Sequence, residues 1–488
     1  SFALTIRPVA LARNIRLGDA SAGTLNITTA EAAFLSQGWS SITVGSASGT
    51  GDITLGADIS FADPIVLRSG AAGGSFTSTT GSDISGTGNA SIEIAVSAGA
   101  GDGISLGGNA TTEGDLITFG APATIANTSV TINTTSGGQT AGAAIIFSGT
   151  VEDDAAGGSD RVLTLIRGAG QLSINHPIGS VRPLSLLEIR AQDLALATAP
   201  DATLHAQTIR LYTADGSGTI GIGGAAGALE IDDAEFALLR YTGTAAGTGL
   251  VIGENGVQSG AIAIQTAQPH ATVANSSITI FSNNDAGSGT KTVTFDDGAA
   301  AAALATGGSG PVAVNAGTGG ILAANATGSH AEISTTGIIS LSSTGAIGSS
   351  ANRMQFAAGQ DEIDVSNAPG GVWFDGLGML TLGSASADQA TGNGSLDATT
   401  QGGGNIVLVR PWNTGLGSVS LNPAGTIVLD YNGTVIEQTT ADLSFLKPVI
   451  LGENTTITQS AGNALKTILF AAAIDDETAG THSLTLNA

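Results

Sequence analysis

One segment of this chain occurs twice. The run ADISFADPIVL at residues 57–67 returns as ADLSFLKPVIL at residues 441–451, with six of the eleven positions identical and three more exchanging one aliphatic side chain for another. Self-similarity in a glycine-rich chain is typical of repeat architectures, which stack one supersecondary unit many times. Because positions 62–63 and 446–447 differ while the aliphatic and proline positions persist, we expect the repeat to preserve the coil and to leave those two positions on the surface.

The composition favours a stacked fold over a set of globular domains. Hydrophobic residues make up 42% of the 488 residues, but only 4% are aromatic, and there are 72 glycines. Large globular cores usually depend on aromatic side chains, which bury the most area per residue. Short runs that alternate aliphatic and polar side chains, as half-buried strands do, occur at residues 42–44, 52–55, 91–96, 129–132, 277–280 and 292–295.

These patterns predict an all-β fold, a right-handed parallel β-helix (β-solenoid) forming an elongated rod. The alternative is an array of β-sandwich domains, which the sequence disfavours because it has no regular period of ~100 residues. The prediction is one continuous solenoid over residues 1–488, with approximate repeat blocks 14–200, 219–335 and 337–488. Because the sequence begins at Ser1 without a methionine, we expect a segment of a longer chain or a fibre subunit.

Further repeats support this organisation. Residues 15–35 resemble residues 220–239, and the first copy contains a short predicted helix at 28–35 with a threonine in the capping position. Residues 145–154 resemble residues 468–477, and a Leu-Thr-Leu strand follows each copy. The separations differ, as expected of degenerate solenoid repeats with inserted loops.

Three longer segments carry a resemblance to a known family. They are GTGDITLGADISFADPIVL at residues 49–67, AAIIFSGTVEDDAAGGSDRVLTL at 143–165 and TGAIGSSANRMQF at 344–356. They resemble the repeat regions of filamentous-haemagglutinin-like exoproteins, which are large bacterial adhesins. The resemblance implies a β-helical protein that is secreted or displayed on the bacterial cell surface. The sequence has neither the Asn-Pro-Asn signature of the family's secretion domain nor an Arg-Gly-Asp tripeptide, which leaves the export route and the receptor open.

Charge and cysteine content exclude several classes of function. The 40 acidic and 15 basic residues give a formal net charge of −25, which disfavours binding to nucleic acid and to anionic lipid. The chain has no cysteine, so it can form no disulfide and no thiolate metal site. Its apolar runs are far shorter than the ~18 residues of a membrane span. We therefore expect neither a nucleic-acid partner nor membrane insertion.

The residues that could carry chemistry are scattered. Four pairs of adjacent aspartates, at positions 153–154, 232–233, 296–297 and 475–476, are candidates for paired carboxylates. Neighbouring residues on a strand point to opposite faces, so we expect these pairs to be solvated turns. Three tryptophans could form a sugar platform only if the coils bring them together: Trp39, Trp373 and Trp412. Five histidines lack metal-ligand spacing: His176, His205, His270, His330 and His482.

The sequence therefore predicts no catalytic, cofactor-binding or metal-binding residue, and no cofactor. The predicted function is a non-catalytic structural or adhesive protein of the bacterial cell surface or extracellular space, which forms or extends a rod or filament. Expected partners are further copies joined end to end or the continuation of a longer chain, with a cell-surface or glycan ligand also possible. The alternative is a carbohydrate-active β-helix, either a polysaccharide lyase or a glycosidase.

Overall fold

The computed structural model describes most of the chain as two compact units. The described residues are 2–22, 24–35, 37–71, 73–97, 103–154, 160–197, 202–298, 301–325, 330–360, 362–383, 394–415, 417–438, 441–459 and 466–487. The first unit comprises Ser1–Asp215 and Leu238–Thr242, and the second comprises Gly216–Ala237 and Gly243–Ala488. Residues 155–159, within the second family-like segment, lie outside the described residues.

Elements are numbered along the chain. The first unit contains one short helix, one 3-10 turn and many short strands: β1 (Phe2–Ile6), β2 (Ile15–Gly18), β3 (Leu25–Thr28), α1 (Thr29–Ala32), β4 (Trp39–Ser46), β5 (Ile53–Leu55), β6 (Ile59–Phe61), β7 (Ile65–Ser69), β8 (Phe76–Ser78), β9 (Ile84–Gly86), β10 (Ile92–Val96), β11 (Ile104–Leu106), β12 (Ala110–Thr112), β13 (Ile117–Phe119), β14 (Ala123–Ile125), β15 (Ser129–Asn133), the 3-10 turn Ser136–Gly138, β16 (Ile145–Phe147), β17 (Val151–Asp153), β18 (Val162–Ile174), β19 (Leu184–Leu196), β20 (Leu204–Tyr212) and β23 (Leu239–Tyr241).

The second unit has the same character: β21 (Ile220–Gly223), β22 (Leu229–Ile231), α2 (Asp233–Phe236), β24 (Leu250–Ile252), β25 (Ile262–Gln265), the 3-10 turn Ala271–Val273, β26 (Ile278–Ser282), β27 (Thr292–Asp296), β28 (Leu304–Ala305), β29 (Val312–Ala316), β30 (Gly320–Ala323), β31 (Ile333–Ser334), β32 (Ile339–Ser343), β33 (Met354–Phe356), β34 (Ile363–Asn367), β35 (Val372–Gly376), β36 (Leu380–Leu382), β37 (Leu396–Thr400), β38 (Ile406–Leu408), β39 (Trp412–Gly415), β40 (Val419–Asn422), β41 (Ile427–Leu429), β42 (Gly433–Gln438), β43 (Leu443–Phe445), β44 (Val449–Leu451), β45 (Thr455–Gln459), β46 (Ile468–Phe470), β47 (Ile474–Asp476) and β48 (Leu484–Asn487).

From β4 to β18, successive strands of the first unit take turns in three parallel sheets, so that three strands make one coil, whereas β18, β19 and β20 follow one another in the third sheet. The first two sheets run in the orders β1-β4-β7-β10-β13-β16 and β3-β2-β5-β8-β11-β14-β17. The third contains the stretch β6-β9-β12-β15-β18-β19-β20-β23. This parallel pairing confirms the predicted β-helix and excludes the β-sandwich alternative, whose sheets are antiparallel.

The second unit is built in the same way. Its sheets include the stretches β22-β21-β25-β27-β30, β26-β29-β32-β34-β36-β38-β41-β44-β47, β28-β31-β33-β35-β37-β40-β43-β46 and β39-β42-β45-β48. Towards its C-terminal part, each coil contributes one strand to each of the last three sheets. The second unit is therefore also a parallel β-helix.

Ladders of aliphatic side chains fill the interior of the coils. In the first sheet, one ladder places five isoleucines in register on neighbouring strands, and none of them is more than 2% exposed: Ile42, Ile65, Ile92, Ile117 and Ile145. Burying an isoleucine side chain contributes about 1.5–3 kcal/mol relative to leaving it in water. The core therefore depends on repeated small aliphatic contacts, as the composition predicts.

The segment that occurs twice forms the same corner of a coil in both places. In the first copy, β6 leads through Pro64 into β7, and in the second, β43 leads through Pro448 into β44. The expectation that the differing positions lie on the surface is wrong for Asp63, which is only 2% exposed. Its carboxylate accepts hydrogen bonds from the backbone N–H groups of Gly38 and Trp39, at 3.1 and 3.2 Å. The variable position thus anchors a loop.

A second repeat forms a β-β-α unit. Strand β2 pairs with β3, and β21 pairs with β22; each pair leads into a helix of four residues, α1 or α2. Both helices begin with a capping box, formed by Thr28 with Glu31 and by Asp232 with Glu235. The predicted helix near residue 28 is confirmed, although it is shorter than the sequence pattern indicates.

The third repeat also forms equivalent coils. Strands β16, β17 and the start of β18 follow one another as β46, β47 and β48 do, and β16, β17, β46 and β47 each span three residues. Phe147 stacks on Phe119 with ring centroids 4.9 Å apart, and Phe470 stacks on Phe445 at 4.8 Å. The Asp-containing segments that follow the phenylalanines are therefore strands, not loops.

Candidate functional site

The first pair of adjacent aspartates serves the local fold. Asp153 ends β17 and is fully buried; its carboxylate accepts hydrogen bonds from the backbone N–H groups of Asp160 and Arg161, at 3.2 and 3.3 Å. The neighbouring Asp154 forms an ion pair with Arg161, with Oδ1 and Nε 2.7 Å apart. The two carboxylates thus hold a loop, and the prediction of a solvated turn is wrong for Asp153.

The second and third pairs also lie in different local settings. Asp232 caps α2 and Asp233 is its first residue; partial burial, together with the charge of Asp232, raises the pKa of Asp233. Asp296 ends β27, and its carboxylate accepts a hydrogen bond from Nε2 of Gln265 at 2.9 Å. Asp297 follows at 1% exposure. Of these two pairs, the helix-capping pair is the exposed one, as predicted, although it lies at the start of a helix.

The last pair organises a turn from the end of a strand. Asp476 ends β47 and accepts hydrogen bonds from the backbone N–H groups of Thr478, Thr481 and His482. The hydrogen bond from the His482 N–H, with its neighbours, lowers the pKa of Asp476 well below its usual range. Asp475 beside it is exposed. None of the four pairs is arranged as two facing carboxylates, because each side chain has its own local partners or environment.

The three tryptophans differ in burial and lie in different elements. Trp412 is buried in the core of the second unit at 1% exposure, so it presents no ring face to a ligand. Trp39 begins β4 in the first unit, and Trp373 lies half-buried in β35 of the second. The expected role as core or loop anchors is confirmed for Trp412.

The histidines are dispersed. His270 caps a 3-10 turn by accepting a hydrogen bond from the Thr272 N–H, and His482 pairs with Asp476. Burial, with a smaller effect from Arg240, lowers the pKa of His205. Within the part of the chain that the structure describes, no group of three or more histidine, aspartate and glutamate side chains could hold a metal ion.

The second unit contains a buried acidic cluster that sequence reasoning missed. Glu332 is 1% exposed, and its carboxylate accepts a hydrogen bond from the Gln355 N–H. The Gln355 amide donates in turn to Asp375 Oδ2 at 2.9 Å. Asp297 Oδ2 is also buried and has no hydrogen-bond partner among the described residues. Burial, with the nearby charges of Asp297 and Asp375, raises the pKa of Glu332 to about 8.

Strand periodicity gives no signal for this cluster. The alternation that points Ile333 and Phe356 into the coil points Glu332 and Gln355 to the outer face, where a solvated side chain is expected. Their burial depends on which neighbouring segments cover that face, and the local sequence does not encode this.

Two concave sites lie on outer sheet faces. The first, in the first unit, has a volume of about 460 Å³ and is lined in part by the hydroxyl side chains of Thr77, Ser105 and Thr124. Among the described residues that line it, one is acidic: Glu152, which accepts hydrogen bonds from the backbone N–H groups of Val181 and Arg182. A single carboxylate held in this way is not the acid and base pair that glycoside hydrolysis needs.

The second concave site, in the second unit, has a volume of about 250 Å³ and includes Phe281, Asn315 and Ser342. Neither site was predicted from the sequence. The signal available was an aromatic residue at an outward strand position, Phe281 in the run ITIFS.

No helix among the described residues is long and apolar enough to cross a membrane. Comparison of the chain with family models, with curated proteins and with solved structures gives no match. The likeness to filamentous-haemagglutinin-like repeats thus stays a prediction from the quoted segments, and the parallel β-helix is the established property of this chain.

Proposed function

We propose that this chain is a non-catalytic structural or adhesive protein of the bacterial cell surface or extracellular space. The observation that carries the proposal is the use of its polar side chains. Carboxylates that catalysis would require to face a substrate accept backbone hydrogen bonds instead, as Asp63, Asp153, Glu152 and Asp476 do. The placement outside the cell rests on the resemblance of the quoted repeats to bacterial exoproteins.

The coil architecture supports a role in extension. Each coil places its inward aliphatic side chains in register with those of the next coil. A further coil can therefore pack on the last one through the same kind of contacts. In the proposed role, copies join end to end or the β-helix continues in a longer chain, and the product is a filament. Such a protein functions through its length and its outer surface.

Two experiments test the proposal. Incubation with neutral and acidic polysaccharides is expected to release no oligosaccharide, because the candidate carboxylates are held in separate local networks. Released oligosaccharide would overturn the non-catalytic assignment in favour of a carbohydrate-active β-helix. Negative-stain imaging is expected to show elongated particles or filaments, and compact isolated globules would contradict the structural role.

A further inference from the structure

The concave site of the second unit is a candidate ligand site that the fold itself does not require. It lies over the neighbouring strands β26, β29 and β32, which pair in parallel. Two rows of outward side chains form its floor: Thr279, Ala313 and Ser340 in one row, and Phe281, Asn315 and Ser342 in the other.

Phe281 is the unusual member of this floor. The flanking Ile280 and Ser282 point into the coil and are fully buried, so the alternation of the strand places Phe281 on the outer face. Its in-register neighbours on the next two strands are the polar Asn315 and Ser342. The ring therefore contributes nothing to the interior ladder and offers a half-buried apolar surface beside hydroxyl and amide groups.

One wall of the site is a turn fixed by hydrogen bonds. The Gly247 N–H donates to Thr279 Oγ1 at 2.9 Å, and the carbonyl of Ala245 accepts hydrogen bonds from Ser277 Oγ at 2.6 Å and from the Thr248 N–H at 3.0 Å. Gly247 has φ +79°, a conformation that favours glycine. The chain's own hydrogen bonds thus hold this wall in place.

The opposite end of the site is shaped by a β-bulge. Leu341 pairs with Val365 and Ser342 pairs with Asn367, so that Ser366 is an extra residue between them. Ser366 is exposed and lines the cavity. Bulges occur often beside functional sites, because they redirect one side chain without disturbing the rest of the sheet.

The chemistry of the lining narrows the ligand class. None of the described residues that line this cavity is charged, although the chain has a net charge of −25; an ionic ligand would find no counter-charge among them. A peptide ligand could not bind here by adding a strand to the sheet. Such binding needs a strand with an unpaired edge, and β29 and β32 are each paired on both sides. What remains is a neutral ligand with one apolar face and several hydroxyl groups.

We propose that this site binds one ring of a neutral saccharide. The C–H face of the ring packs on Phe281, and its hydroxyl groups form hydrogen bonds with Asn315, Ser340 and Ser342. The volume of about 250 Å³ is slightly below the ~300–1,000 Å³ of typical small-molecule pockets, which suits a single ring. This inference rests on the proposed non-catalytic, adhesive function, for which it names the ligand class.

Saturation-transfer NMR on the 488-residue protein tests the site. The probes are three neutral disaccharides (lactose, maltose and N,N′-diacetylchitobiose) and two charged sugars (sialyllactose and a sulfated heparin disaccharide). At least one neutral probe is expected to bind. Phe281→Ala is expected to weaken that binding by about tenfold or more, and Phe281→Trp to retain it. Ile450→Ala, an outward position on β44 of the same sheet, is the matched control and is expected to change nothing.

The outcomes separate the site from the proposed function. Three outcomes would each overturn the proposed site. They are that no neutral probe binds, that only charged probes bind, or that a correctly folded Phe281→Ala variant binds as well as the wild type. A thermal melt of Phe281→Ala establishes that it folds. New reducing ends in the probe would overturn the non-catalytic function instead, whereas binding that depends on Phe281 without turnover supports both.

Discussion

Replacing Glu332 with glutamine is expected to stabilise the second unit at neutral and alkaline pH. In the folded chain the pKa of this buried carboxyl is raised from 4.5 to about 8, chiefly by burial. The folded state therefore holds a proton that the unfolded chain releases between these two values, and the free energy of unfolding falls as the pH rises through that interval. Above about pH 8 this contribution stays constant.

The size of the effect follows from the pKa interval. One pH unit corresponds to about 1.4 kcal/mol, so the whole interval from 4.5 to about 8 corresponds to roughly 5 kcal/mol and the part below pH 7 to roughly 3 kcal/mol. These are upper values, because relaxation of the buried site reduces the penalty. Glutamine has no proton to lose and keeps an amide oxygen that can accept the hydrogen bond from Gln355.

Urea unfolding at pH 5, 7 and 9, with hydrogen exchange at the strands around residue 333, measures the difference. Wild type and Glu332→Gln are expected to have nearly equal stability at pH 5, and the variant is expected to gain up to about 4 kcal/mol by pH 9. Glu230→Gln, at an exposed position in β22, is the control and is expected to show no such trend. A gap between wild type and Glu332→Gln that stays the same from pH 5 to pH 9 would refute the reasoning.

Three further predictions test the local design of the coils through chemical unfolding. Ile92→Ala removes a fully buried member of the inner ladder and is expected to lower the free energy of unfolding by about 2–5 kcal/mol. Glu93→Ala, at the outward neighbouring position, is expected to change it by no more than about 0.5 kcal/mol. Equal effects would contradict the assignment of Ile92 as inward and Glu93 as outward. Asp232→Ala removes the cap of α2 and is expected to cost about 1 kcal/mol, most of it restored by Asp232→Asn; a loss that asparagine does not restore would exclude capping as the cause. Asp63→Ala leaves the N–H groups of Gly38 and Trp39 without their acceptor and is expected to cost about 1–3 kcal/mol, with faster hydrogen exchange at those two amides; unchanged exchange there would show that the loop does not depend on Asp63.

The sequence predicts the coil well because the coil is a local property. Alternation along β10 places Ile92 and Ile94 inside without reference to any other segment, and the capping box of α1 is set by residues three positions apart. The twice-occurring segment marks a corner that both copies adopt. These features need only period-two patterning and short-range hydrogen bonds.

The outer surface is less predictable, because its burial depends on distant segments. The sequence pattern predicts that Asp63 lies on the surface. In the structure its carboxylate is covered by a loop that lies 24 residues earlier in the chain, whose backbone N–H groups donate hydrogen bonds to it. Glu332, directly before β31, and Phe281, at an outward position of β26, are both out of phase with the inward residues, yet one is buried in an acidic cluster and the other lines a cavity. The sequence alone therefore does not locate the candidate site. Its one relevant signal is an aromatic residue, Phe281, at an outward strand position.

The two β-β-α units also bear on how the chain reaches its fold. Within each, the paired strands begin only about ten residues apart, as in Ile15 with Leu25 and Ile220 with Leu229. The separation is larger between neighbouring strands of later coils: Ile104 and Ala123 are 19 residues apart, and Ile65 and Ile92 are 27 apart. Closing a short loop costs less conformational entropy than closing a long one, and contacts close in sequence form sooner. We therefore expect each β-β-α unit to nucleate folding locally. Later coils would then add to it one after another.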